Sequence, residues 1–143
     1  MILSIDLESD VPINQQLYEN IVDAIATGAL EVGSRLPSTR ELAKRFGINF
    51  HTVNKTYSRL CNDGFIRLSR RTGAVVLRDA KAAPAGDFIE NFRRRLRPVL
   101  AEATAHGLCA DEALLECHKI LHSFRKQRSV NFGIRDKEGW TSG

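Results

Sequence analysis

Apolar residues recur at every fourth position in the first part of the chain, directly behind a proline. Pro12 suits the start of a helix, because the first turn does not need the amide hydrogen that proline lacks. The pattern predicts an amphipathic first helix that ends near Gly28. Its apolar stripe consists of Ile13, Leu17, Ile21 and Ile25.

The stretch LPSTRELAKRFGINFHTVNKTYSRLCNDGFI, residues 36–66, predicts two further helices joined by a tight turn. Ser38 and Glu41 form a capping-box signature at the start of the second helix. Gly47 ends that helix, because glycine adopts a left-handed backbone without steric cost. Asn49 is the predicted N-cap of the third helix. The predicted buried face of the third helix comprises Val53, Tyr57 and Leu60.

Two short β-prone runs follow, FIRLS and GAVVL, on either side of Arg70-Arg71-Thr72, and they predict a β-hairpin. Three helices and a hairpin make a winged helix-turn-helix. In this arrangement the tight turn holds the third helix steeply across the second and projects its N-terminal turn from the surface. Such a helix fits a DNA major groove about 12 Å wide.

From residue 80 the composition changes to a small-residue linker, AKAAPAG, at residues 80–86. Two helical apolar stripes follow; Pro98 interrupts the first and should kink or restart that helix, and the second begins after Gly107. Two helices alone cannot bury both stripes, so their natural partner is a second copy of the chain. The stripes contain Phe88, Ile89, Phe92, Leu96, Val99 and Leu100, then Leu114, Cys117, Leu121 and Phe124.

The predicted fold class is therefore mainly α with a small β-hairpin. An N-terminal winged helix-turn-helix occupies residues 11–79, the linker residues 80–86, and a two-helix C-terminal dimerisation region residues 87–125. Residues 126–143 are polar without a clear period and are treated as a tail of unknown role.

A chain of 143 residues with 43% apolar content can bury one ordinary core and a small appendage, which argues against a large catalytic fold. No apolar run approaches bilayer length, and the acidic N-terminus is unlike a secretory signal. We therefore expect a soluble, cytoplasmic protein that makes no membrane contact. Three cysteines without regular pairing argue against a disulfide framework, and no glycine-rich phosphate loop is present. We expect no enzymatic activity and no cofactor.

The net charge of +4 conceals an uneven distribution along the chain. Residues 1–34 contain six acidic and no basic residues, whereas residues 35–72 contain nine basic and two acidic residues. Clustered basic charge is the electrostatic footprint of a surface that binds a polyanion, although a solvated basic face is an alternative.

Residues 12–66 are similar to the GntR family of bacterial transcription regulators, and the matching pattern extends over residues 11–78. The short two-helix C-terminal part resembles the YtrA branch, whose members are small dimeric regulators that often control transporter genes. The chain has Asn49-Phe50 where many members have Ser-Arg, and keeps only Gly73 of the two glycines usual around the wing tip. The pattern comprises Pro12, the helix ending in Gly28-Ala29-Leu30, Gly33, Leu36-Pro37-Ser38, Arg40, Leu42-Ala43, Thr52-Val53 and Gly64.

The resemblance implies a sequence-specific regulator that binds double-stranded DNA. We expect a homodimeric repressor at an inverted-repeat operator, with the existence and identity of a small-molecule effector left open. The predicted DNA-contacting residues lie on the second helix, on the third, which is the recognition helix, and at the hairpin tip. They are Arg40, Asn49, Phe50, His51, Thr52, Asn54, Lys55, Arg70, Arg71 and Thr72.

Several of these residues have a second interpretation. Arg40 matches the family's arginine on the second helix, where it can contact phosphate or guanine, but it could instead pair with Glu41 or Asp63. Asn49 is sufficiently explained as a helix cap. Phe50, taken as an exposed aromatic residue, either touches a thymine methyl group or packs under the helix.

Two rival functions remain at this stage. A winged helix can bind protein instead of nucleic acid, which would leave the basic segment without a polyanion partner. Alternatively, the C-terminal helices could form a metal- or thiol-responsive sensor, since His118 and His122 are four residues apart on one helical face. The residues available for such a sensor are His106, Cys109, Cys117, His118 and His122.

Overall fold

The computed structural model describes residues 3–79 and 83–128. Within these ranges the chain is mainly helical with a small antiparallel sheet, which confirms the predicted fold class. The linker residues 80–82 and the predicted tail from residue 129 onward lie outside the described residues. The elements are α1 (Ile13–Ala26), β1 (Arg35–Leu36), α2 (Thr39–Phe46), α3 (Phe50–Asn62), β2 (Ile66–Ser69), β3 (Gly73–Val76), α4 (Phe88–Ala105) and α5 (Ala110–Arg128).

Helix α1 begins directly after Pro12 and places its apolar stripe in the core, as its periodicity predicts. Leu17, Ile21 and Ile25 are buried, whereas Ile13 at the first position is half-buried. The core that they join contains side chains from α2, α3 and all three strands. Burying apolar side chains of this size stabilises the fold by about 1.5–3 kcal/mol each.

The predicted caps set the boundaries of the helix-turn-helix. The Ser38 hydroxyl accepts a hydrogen bond from the Glu41 amide at 3.1 Å, at the start of α2. Gly47 ends α2 with φ of +64°, in the left-handed region that favours glycine. The Asn49 carboxamide oxygen then accepts from the His51 amide at 2.8 Å and caps α3. Only the two residues Ile48 and Asn49 follow Gly47 before α3 begins, so the turn is tight.

Helix α3 is held against both neighbouring helices by its buried face. Val53 and Leu60 are fully buried, and the buried Tyr57 hydroxyl donates to the Pro37 carbonyl oxygen at 2.7 Å. Burial, with a smaller contribution from the charge of Glu41, raises the pKa of Tyr57, so the hydroxyl remains protonated as a donor. The Thr56 hydroxyl donates to the Asn14 carbonyl oxygen of α1 at 3.1 Å.

The sheet has one strand more than the predicted hairpin. Strands β2 and β3 pair around Arg70-Arg71-Thr72 as predicted, but β1 pairs with the other edge of β3 and gives the order β1-β3-β2. A two-residue strand has no detectable period, so the sequence pattern did not reveal β1. The pairing of Leu36 with Ala74 depends on the folded core, where both side chains are buried.

The C-terminal helices α4 and α5 have no fully buried residue among those whose side chains the structure describes. Helix α4 continues through Pro98 without restarting, because proline removes a single hydrogen-bond donor and its fixed φ is compatible with a helix. Gly107, with φ of +93°, ends it as predicted. No helix in residues 3–79 or 83–128 is long and apolar enough to cross a membrane.

Candidate nucleic-acid interface

The N-termini of α2 and α3 form the centre of the candidate interface. Arg40 is the second residue of α2 and is exposed, and its guanidinium carbon lies 5.2 Å from the centroid of the Phe50 ring. Phe50 is the first residue of α3. Positive helix-dipole ends and an arginine thus meet at one place, which favours a polyanion.

The ion pair considered as the alternative role of Arg40 is not found among the described residues. Arg40 forms no salt bridge with Glu41 or Asp63 there, and the Asp63 carboxylate lies 3.9 Å from Arg59 Nε instead. The arginine side chain is therefore held by an aromatic ring while its guanidinium remains exposed.

The recognition helix α3 presents its predicted residues to different extents. His51 and Lys55 are exposed and lie four residues apart, on the side opposite the buried Val53 and Leu60. Thr52 and Asn54 are half-buried. Two of these four predicted contact residues are therefore only partly accessible to DNA.

Asn49 and Phe50 both have structural roles. The Asn49 side chain caps α3, as its second interpretation proposed. Phe50 was expected to be exposed, but it is half-buried and packs against the core, with the His51 ring edge-on at 5.5 Å. The short α2–α3 turn causes this difference because it brings the first residue of α3 close to the core.

The wing tip presents two of its three predicted residues. Arg70 and Arg71 are exposed in the turn between β2 and β3. The Ser69 hydroxyl accepts from the Arg71 amide at 3.1 Å and from the Thr72 amide at 3.4 Å, which orders the turn. The Thr72 hydroxyl oxygen is buried and has no hydrogen-bond partner within the described residues. As placed, Thr72 offers DNA little beyond its backbone.

A polar cluster at the far end of α3 was missed by the sequence analysis. Arg59 donates to the Gln15 carboxamide oxygen at 2.6 Å and lies 3.7 Å from the Tyr18 ring centroid. The Tyr18 hydroxyl donates to the Asp63 carboxylate at 2.6 Å. No local pattern could reveal this cluster, because Tyr18 and Asp63 are 45 residues apart in sequence. Arg59 is therefore engaged within the protein.

The same cluster changes the acidity of Tyr18. Partial burial raises the pKa of Tyr18 to about 12, and the hydrogen bond and negative charge of Asp63 add to this effect. The positive charges of Arg59 and Arg95 act in the opposite direction without cancelling it.

The residues considered for a metal or thiol sensor lie on α5 and in the turn between α4 and α5. The His118 and His122 rings are stacked with centroids 6.4 Å apart, and Cys109 is exposed while Cys117 is half-buried. Across residues 3–79 and 83–128, no group of three or more potential metal ligands is found.

Comparisons with known proteins agree with this geometry. The chain matches the family described as "Bacterial regulatory proteins, gntR family" over residues 13–76. It is 28% identical over 106 residues to the HTH-type transcriptional repressor YtrA of Bacillus subtilis (strain 168), covering 74% of this chain and 82% of that protein. It is also 36% identical over 74 residues to the probable rhizopine catabolism regulatory protein MocR of Rhizobium meliloti. That match covers 52% of this chain, which spans only 15% of the length of the Rhizobium protein.

A solved structure also matches the chain. YtrA from Sulfolobus acidocaldarius, a GntR-family transcription factor, is 38% identical with a TM-score of 0.58, and the match covers 73% of this chain and 99% of that chain. The Bacillus and Sulfolobus relatives are named a transcriptional repressor and a transcription factor. The resemblance drawn from the sequence is confirmed: the chain belongs to the GntR family of DNA-binding bacterial transcription regulators.

Proposed function

We propose that this chain is a homodimeric transcriptional repressor that binds an inverted-repeat operator through its winged helix. The observation that carries the proposal is the exposed basic surface formed by the start of α2, the first turns of α3 and the wing tip. This surface consists of Arg40, His51, Lys55, Arg70 and Arg71, and is called the basic face below. Its position on a GntR-family fold supports DNA as the partner rather than protein.

The recognition helix α3 enters the major groove with its N-terminal turns. Arg40, His51, Thr52, Asn54 and Lys55 contact base edges and phosphates there. Asn49 contributes mainly through the helix start that it caps, and Thr72 mainly through the turn backbone that the Ser69 hydroxyl orders.

The wing lies beside the recognition helix and reaches the next part of the duplex. Arg70 and Arg71 contact the backbone or a narrow minor groove, where the electrostatic potential attracts arginine. Each phosphate that a basic side chain neutralises releases condensed counterions, so binding weakens steeply with salt.

Exposed apolar surface on α4 and α5 supports the homodimer. These helices keep large apolar side chains in solvent, and a groove of about 660 Å³ runs along α4 beside Leu96 and Leu100. A second copy covers this surface about a two-fold axis, which places two recognition helices on an inverted repeat. The exposed residues are Phe88, Ile89, Phe92, Val99, Leu100, Leu114, Leu115, Ile120 and Leu121.

The name of a relative supports the direction of regulation. The Bacillus relative is named a repressor, and a protein that occupies an operator acts most simply by blocking a promoter. Binding to bacterial DNA places the protein in the cytoplasm.

An effector, if the protein uses one, has a suitable position between the winged helix and α4. A cleft of about 280 Å³ is lined by apolar side chains of α1, the loop before β2 and the start of α4. Val22, Ile25, Phe65 and Phe88 give the lining a largely apolar character, and it also includes the charged residues Asp63, Arg78 and Asp79, so it suits a small molecule with an apolar body and a polar group. A ligand of this cleft raises the unfolding temperature of the wild type, and Val22→Trp removes that effect by filling the space.

Selection of bound DNA from a random pool tests the proposed function. The full chain is expected to enrich an inverted repeat, and its affinity for that site falls steeply between 50 mM and 200 mM salt. Arg94→Ala is the control for removal of a positive charge outside the basic face, because Arg94 is exposed on α4. Failure to enrich any sequence, with weak retention at both salt concentrations, would reject DNA as the partner.

A further inference from the structure

An arginine and a phenylalanine connect the starts of α2 and α3 at the centre of the basic face. The guanidinium carbon of Arg40 lies over the Phe50 ring, 5.2 Å from its centroid, inside the range of about 6 Å over which cation–π attraction acts. Phe50 is the first residue of the recognition helix α3. A phenyl ring has no hydrogen-bond donor, so this residue needs another role.

The Phe50 ring is itself held in place. It is half-buried and packs against the hydrophobic core, and the His51 ring contacts it edge-on with centroids 5.5 Å apart and an interplanar angle of 64°. An anchored ring is a fixed platform, in contrast to a flexible side chain that follows the arginine.

Stacking leaves the hydrogen-bonding capacity of Arg40 available. Guanidinium donors lie in the plane of the group, so a ring against one face does not consume them. Within the described residues Arg40 has no hydrogen bond or ion pair, and its side chain is exposed. Free arginine side chains carry large rotamer entropy, and a platform that restricts them before DNA arrives lowers the entropic cost of binding.

We propose that Phe50 is a positioning residue that orients Arg40 for a two-hydrogen-bond contact with a guanine of the operator and contacts no base itself. This inference rests on the proposed function and deepens it. The ring supplies the precision of the guanine contact by limiting the orientations of the arginine. Removal of the ring returns Arg40 to less directional contacts with phosphate, so guanine preference falls while phosphate-based affinity persists.

A double-mutant cycle in the full chain tests the proposal. Phe50→Leu keeps an apolar side chain but removes the aromatic face, and Arg40→Ala removes the guanidinium. We expect Phe50→Leu to weaken operator binding by about two- to fivefold, the range of an exposed cation–π pair. The loss disappears in the Arg40→Ala background, because the ring acts only through the arginine. Phe50→Tyr retains the ring and restores the affinity.

Base substitution in the operator separates positioning from direct contact. Phe50→Leu and Arg40→Ala are expected to reduce discrimination at the same guanine. Additive losses in the double variant, or loss of discrimination at a thymine instead, would overturn the inference and assign a base contact to Phe50. Thermal unfolding confirms that each variant is folded before its affinity is compared.

A measurement on the free protein distinguishes this inference from the proposed function. The Phe50 ring current should shift the NMR signals of the Arg40 side chain, and Phe50→Leu should remove that shift. Unshifted signals in the wild type contradict the positioning role, even for a protein that binds its operator. A clear shift in a protein that selects no DNA would show that the ring holds the arginine, but it would reject the proposed function and, with it, the guanine contact.

Discussion

A basic residue can contribute to a DNA-binding surface only if its charge is not already engaged inside the protein. Arg59 belongs to the basic segment, yet it donates to Gln15, stacks on Tyr18 and lies near Asp63. Arg40, also stacked on a ring, is exposed and unpaired within the described residues. Counting charge along the sequence cannot separate these two arginines, because the difference lies in contacts between distant segments.

Tyr18→Phe tests the polar cluster behind the recognition helix. Losing the 2.6 Å hydrogen bond to Asp63 should lower the free energy of unfolding by about 1 kcal/mol at pH 7, a value moderated by partial exposure. The pKa of Tyr18 is raised from 10.0 to about 12. The protonated hydroxyl therefore stabilises the folded protein fully below pH 10, and this stabilisation is lost as the pH rises towards 12.

Urea unfolding of both proteins at neutral pH and near pH 11 checks this result. The difference in unfolding free energy between the wild type and Tyr18→Phe should be smaller at the higher pH. A difference that stays constant would mean that the hydroxyl does not titrate as the structure indicates.

Asn54→Ala tests base recognition on α3. An asparagine can contact adenine through two hydrogen bonds, so we expect relaxed preference at one position in each half-site, by about 1–3 kcal/mol. Arg71→Ala is the contrast, because loss of a backbone contact weakens binding to all sequences similarly and reduces the salt dependence. Competition binding with single-base operator variants measures the affinity changes of both variants. If Asn54→Ala weakens binding equally on every sequence, Asn54 contacts phosphate and not a base.

At the scale of elements, the α2–α3 turn determines what the recognition helix presents. The turn depends on Gly47 in a left-handed conformation, on the Asn49 cap and on the hydrogen bond from Tyr57 to Pro37. Together they place Phe50 against the core and leave His51 and Lys55 exposed. Local capping chemistry thus sets the geometry of the basic face.

Gly47→Ala tests the turn without creating a clash. No atom lies within 4 Å of a Cβ built at Gly47, so the expected loss of about 1–2 kcal/mol in unfolding free energy comes from the φ of +64° alone. Gly86→Ala is the matched control, since Gly86 also has open space but no positive φ, and its stability should be unchanged or slightly higher. If denaturant unfolding shows equal stability for Gly47→Ala and Gly86→Ala, the turn does not depend on the positive φ of Gly47.

At the scale of the whole molecule, the basic face and the exposed apolar residues of α4 and α5 belong to different parts of the chain. The winged helix buries a core of its own, whereas α4 and α5 keep large apolar side chains exposed. Exposed apolar patches of this kind mark protein–protein contact sites. The proposed dimer connects the two surfaces, because its symmetry sets the separation of the recognition helices.

Leu121→Glu tests the dimer through a side chain that is 63% exposed on α5. Sedimentation analysis is expected to show a monomer, because an unpaired buried carboxylate is costly in an apolar interface. Affinity for the full inverted repeat should fall by about a hundredfold, since two linked half-sites no longer bind together.

The control for this variant is Leu7→Glu, in which a leucine that is 70% exposed near the N-terminus is replaced. This variant should remain dimeric. If both variants stay dimeric, the interface lies elsewhere than on α5.

The sequence alone determined the helix boundaries, the family and the general location of the basic face. Helical period, the Ser38 and Asn49 caps and Gly47 each act over a few residues, so their effects can be predicted from local order. Tertiary structure decided the pairing of β1, the burial of Phe50, the engagement of Arg59 and the inward Thr72 hydroxyl. Each of these depends on contacts between segments that are distant in sequence, and such contacts form only when the whole core assembles.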